Sequence, residues 1–235
     1  GIVNVVDSMI ARSSAAVIYL NAGKEIAVAS TKAFTCQVIT FSLLSLWFTQ
    51  QKNINMDIRR EYMESLKKIS NDVNDCINNT YEITKSVGDY LMDKNSLFIL
   101  GKNICEPTAR EGSLKIKEIG YIHSESYSSS ALKHGPFAVI QSGLPIIIIS
   151  PNDNYIIKNN NTCEEVKARH AYAIGITDTN DISEKYDVII NIPKNYHYRY
   201  LLSVIPLQLI AYHLAIKKGH NPDFPRHLAK SVCTV

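Results

Sequence analysis

A chain of 235 residues has room for one large α/β domain, or for one complete domain with part of another. It is 46% hydrophobic and 20% charged, and its net charge of +3 comes from scattered Lys and Arg, so an electrostatic nucleic-acid binder is excluded and a small molecule or a protein is the expected partner. Five cysteines, an odd number without a Cys-x-x-Cys pair, suggest neither a disulfide framework nor a zinc site and point to a reducing, cytoplasmic compartment. The chain opens on an apolar run at 2–6 with no initiator Met and no charged leader, so it reads as a fragment whose upstream portion is missing, without a signal peptide.

Along the chain, short β-rich runs alternate with longer helical patterns. Strands are expected at 2–6, 16–20, 97–100, 145–150, 172–176 and 188–192. Several are continuous Ile/Val/Leu runs, the pattern of strands covered on both faces. Helices are expected at 30–50, with Ser30 or Thr31 as N-cap, at 56–91 as one helix or two, and at 107–121. A short one is expected at 164–170, and one at 197–217 kinked by Pro206. The apolar stretch 33–48 is interrupted by Thr and Ser and is too short for a membrane span, so it reads as a buried helix and no membrane partner is expected. Residues 51–56 read as a domain boundary, the Asn-rich 152–162 as a surface loop, and 219–235 as a tail that is either frayed or docked. The alternation predicts an α/β fold with a parallel sheet between helices.

Three positions could carry chemistry. Glu111, Lys115 and Glu118 are spaced i, i+4, i+7 and share one helical face. They form either a solvated ion-pair face or a general base held beside a lysine at a strand's carboxyl end, where open α/β sheets bind ligands. His134 precedes Gly135-Pro136 and falls on a turn, as an exposed histidine or a proton shuttle. Lys230 is either a solvated charge near the C-terminus or an amine that attacks a carbonyl. Five serines in 124–130 make a hydroxyl-rich loop or a polar linker, and His213 falls at the core edge of an apolar helix. No P-loop, Rossmann fingerprint or metal-ligand motif is present, so neither a cofactor nor a metal is expected.

Five ordered motifs then resemble one family. Residues 25–34 (EIAVASTKAF), 111–119 (EGSLKIKEI), 121–123 with 132–136 (YIH, LKHGP), 206–209 (PLQL) and 225–232 (PRHLAKSV) resemble segments of the glutamine–fructose-6-phosphate transaminases, also called glucosamine-6-phosphate synthases. The resemblance implies a sugar isomerase (SIS) fold, a three-layer, flavodoxin-like α/β/α arrangement of a parallel five-stranded sheet. Residues 1–53 would be the C-terminal remainder of a first SIS domain, 54–219 a second, and 220–235 a tail contributing to the active site. The implied reaction makes glucosamine 6-phosphate from fructose 6-phosphate and glutamine-derived ammonia. In it Glu118 would move the proton between C1 and C2 and Lys230 would form the Schiff base. His134 would help open the ring, reaching into the partner subunit of a homodimer, and Lys115 would lie beside Glu118. Val28, Ser30 and Ala229 would line the sugar. A glutaminase domain would lie upstream. The sequence departs from the family at Ser130-Ala131, where Gly-Glu is usual, and lacks the family's phosphate-binding loop. A non-catalytic sugar-phosphate-binding or dimerisation module is the alternative.

Overall fold

The computed structural model describes residues 1–229, which divide into two compact units, one of 1–64 with 223–229 and one of 65–222. In the first unit β1 (Ile2–Val3) pairs in parallel with β2 (Ile18–Tyr19). Between them lies the short helix α1 (Met9–Ser13), whose N-cap Ser8 accepts the Ala11 N–H through Oγ. Helix α2 (Lys32–Gln51) follows, free of Gly and Pro. Thr31 occupies its N-cap position without a side-chain cap bond, and the Ser30 hydroxyl donates to Glu25 instead, so neither expected cap operates. Helix α3 (Met56–Leu91) begins in this unit, with Asn55 Oδ1 accepting the Ile58 N–H, and continues unbroken into the second.

Within the second unit, α3 buries Ile69, Cys76, Thr80, Thr84, Val87 and Leu91, a stripe at steps of three, four and seven. Five strands form one parallel sheet: β3 (Ser96–Gly101), β4 (His123–Ser128), β5 (Pro145–Ile149), β6 (Tyr172–Thr177) and β7 (Val188–Asn191), in the order β4-β3-β5-β6-β7. Phe98 pairs with Ile146 and Ile146 with Ala173, and all three join one cluster with Leu100, Ile148, Cys163 and Val166. Alternation turns Leu97, Ile99 and Ile147, all fully buried, to the other face.

Two elements differ from expectation. The serine-rich 124–130 is mostly β4, an edge strand on which hydroxyls are tolerated. The Asn-rich loop expected at 152–162 is largely helix α5 (Ile156–Lys167). There Asn159 is buried, accepts the Ser129 hydroxyl and donates to the Ile149 carbonyl, so tertiary hydrogen bonds override a turn-like composition.

At the C-terminal end, α6 (Arg199–Leu202) and α7 (Val204–Lys217) are separated at Ser203, whose hydroxyl bonds the Arg199 carbonyl. Pro206 lies in the first turn of α7, where no donor is needed, so the expected kink is a break three residues earlier. The run Arg199–Lys217 is long and apolar enough to cross a membrane, but 67% of it is buried inside the unit, as a core helix would be.

Candidate active site

Glu111, Lys115 and Glu118 come together on α4 (Cys105–Lys115) and the π turn Ile116–Gly120 that continues it. Ala109, Gly112, Ser113 and Ile116 bury the inward side of this helix. Gly112 is required there, because a Cβ would meet Leu207 Cδ1 of α7 at 2.5 Å. The Ser113 hydroxyl donates to the Ser124 carbonyl, tying α4 to the edge strand.

The three charged groups are not a solvated face. The Lys115 side chain is only 3% exposed, with Glu111 at 12% and Glu118 at 20%. Lys115 Nζ lies 2.6 Å from Glu118 Oε2 and 3.4 Å from Glu111 Oε1. A buried ammonium requires such partners, since an unpaired charge there would cost several kcal/mol (~3–5). Burial pushes the Glu111 carboxyl above its ordinary range, outweighing the opposing pull of the Lys115 charge and hydrogen bond. A carboxylate held on an ammonium, with a second carboxyl on the same helical face, can take a proton from carbon and return it.

One expectation is overturned. The trio does not lie at a strand's carboxyl end: α4 leaves β3 at that end and returns the chain to the opposite edge, where His123 at the start of β4 pairs with Ser96 at the start of β3. A crossover helix in a parallel unit has to make that return. The carboxyl ends carry other groups. Lys102 bonds Ser130, Asn103 bonds Tyr155, and the buried Arg199 bonds the Asn152 carbonyl.

His134 stands exposed on a turn, its N–H donating to the Ala131 carbonyl. Buried Leu132 and partly buried Phe137 anchor that turn on either side, and Gly135 has φ 136°, a conformation that favours glycine. Val28, Ser30 and Ala229 belong to the first unit. The Val28 N–H donates to the Asp223 carbonyl at 3.2 Å, which ties residue 223 to this loop. Ser30 Oγ donates to Glu25 Oε1 at 2.9 Å, and Ala229 is exposed. Lys230 lies outside the described residues. Sequence reasoning missed the π turn beneath Glu118, whose only outward signal is Gly120 followed by Tyr121.

A parallel sheet of this order, wound on both faces, with a buried Glu–Lys–Glu group on its first crossover helix, defines a doubly wound α/β domain. The chain belongs to the SIS domain family, whose model matches residues 90–218. It is 43% identical, over 99% of its length, to the glutamine–fructose-6-phosphate aminotransferase (isomerizing) of Encephalitozoon cuniculi, and 39% identical, also over 99%, to that of Pyrococcus horikoshii. It spans 34% and 38% of the lengths of those two relatives. Among solved structures it resembles the C-terminal domain of glucosamine-fructose-6-phosphate aminotransferase from Francisella tularensis, with a TM-score of 0.88 and 35% identity, covering 94% of this chain and 63% of that one.

Proposed function

We propose that the chain is the isomerase portion of a glutamine–fructose-6-phosphate aminotransferase, converting fructose 6-phosphate and glutamine-derived ammonia to glucosamine 6-phosphate. The observation that carries the reading is the Lys115 ammonium buried between Glu111 and Glu118, on a chain similar over nearly its whole length to such enzymes. Glu118 moves the proton between C1 and C2 of the open sugar, with Lys115 holding its carboxylate. The Lys230 amine attacks the C2 carbonyl, and water leaves as the imine forms. His134, exposed on its turn, serves ring opening in the neighbouring subunit of a homodimer. Val28, Ser30 and Ala229 line the sugar. Residues 1–53 are the end of a first SIS domain, 54–219 a second, and 220–235 the tail that brings in Lys230. A glutaminase domain upstream supplies the ammonia, and the enzyme works in the cytoplasm.

Borohydride trapping in the complete enzyme tests the assignment. Glu118→Gln should lower glucosamine 6-phosphate formation by about 10²–10⁴-fold, yet still be trapped with the sugar because Lys230 remains. Lys230→Ala should neither synthesise product nor be trapped. Near wild-type synthesis by both variants would sink the assignment.

A further inference from the structure

The helix that carries Lys115 does not finish as an α-helix. Its last five residues form the π turn Ile116–Gly120, and Glu118 is the middle one. Such turns are rare and are frequent at functional sites. This one sits at a helix C-terminus, where carbonyls lack intrahelical partners, so it has to be held from outside.

One stretch of chain meets it there. A Cβ on Gly120 would come within 2.7 Å of Leu214 Cδ2, so the turn rests directly on α7. Lys218 Nζ donates to the Gly120 carbonyl at 3.1 Å, placing a partly buried cation at the negative end of the helix. Tyr121 ends the helix in the left-handed conformation at φ 53°, and its ring lies against that of His220 with centroids 4.6 Å apart.

We propose that Lys218 is a positioning residue for the isomerase reaction. Its bond to the Gly120 carbonyl keeps the turn from relaxing to α-helical register and so fixes the Glu118 carboxylate on the Lys115 ammonium. The inference rests on the reading of Glu118 as the proton-moving carboxylate. Lys218 touches no reacting atom in this scheme, so its loss acts on the chemical step rather than on sugar binding.

Steady-state kinetics on the complete enzyme test it. Lys218→Met should lower kcat on the order of 10- to 100-fold, the scale of a misplaced catalytic group, with KM for the sugar phosphate changed less than about twofold. Lys218→Arg keeps a cation for the carbonyl and should bring kcat back to within about threefold of wild type. The neighbouring Lys217, paired with Asp89, is the control, and Lys217→Met should leave kcat unchanged. A wild-type kcat in Lys218→Met overturns the proposal, as does a loss that Arg fails to restore or one that appears in KM. Glu118→Gln in the same assay separates the two readings. If it keeps full activity, the role of Glu118 is wrong. If it loses activity while Lys218→Met does not, only the positioning role fails.

Discussion

Helices α2 and α7 are both apolar nearly all round, yet the two units treat them in opposite ways. In the second unit α7 buries nine of its fourteen residues, packing on α4 and the π turn. In the first unit α2 buries only Ala33 of its twenty, leaving Phe41, Trp47 and Phe48 more than half exposed. The strands beside it, β1 and β2, are two residues each, and a groove of about 460 Å³ opens between β2 and α2, lined by Tyr19, Ile39, Leu43 and Trp47. An apolar helix announces how much cover it needs, and α4 with its π turn supplies it in the second unit where the two short strands of the first cannot.

Paired truncations should expose this contrast most strongly. Ile148 is fully buried in the central strand β5, so Ile148→Ala should cost about 2–5 kcal/mol of stability. Phe41→Ala, on a residue 59% exposed, should stay within about 0.5 kcal/mol. Denaturant midpoints of the 235-residue chain measure both, and equal losses would erase the distinction between the units. A smaller effect belongs to the open face itself. In the proposed homodimer, replacing Trp47 and Phe48 together with Ser tests whether copies meet through this face: the dimer should weaken about tenfold in sedimentation velocity, with the unfolding midpoint kept. An unchanged association constant would mean that α2 is not the face through which copies meet.

How much of this was legible in the sequence depended on what each residue's neighbours demanded. The run Pro145–Ile149 declared a strand buried on both faces, because no other element explains four consecutive isoleucines bounded by a proline. Strand β4 hid behind its serines, since an edge strand needs only one covered side. Helix α5 hid behind its asparagines, because the buried bonds of Asn159 are visible only once β5 and Ser129 are in place. The spacing of Glu111, Lys115 and Glu118 placed them on one face, but not at the amino edge of the sheet, which is a property of the crossover. Nor could it announce the π turn, which depends on Leu214 and Lys218 about a hundred residues away in sequence.

The smallest expected effect sharpens the reading of the buried trio against the exposed charges elsewhere, such as the Arg60–Asp57 pair of the first unit. Burial raises the Glu111 carboxyl above the ordinary glutamate value of about 4.3. The folded state therefore binds this proton more tightly than the unfolded chain does. Between the unfolded and folded values the native protein carries more protons, so Glu111's contribution to stability falls as pH rises through that window. It is fully present below the unfolded value and lost above the folded one. Glu111→Gln keeps the shape without the titration, and Glu118 still partners Lys115. Relative to that variant, the wild-type chain should therefore gain stability as pH is lowered from 7 toward 4, whatever the other carboxylates do to both. Urea midpoints of the two proteins at each pH give the difference directly. A gap that stays constant with pH would mean that Glu111 titrates as a solvated glutamate, and the surface reading of this helix would return.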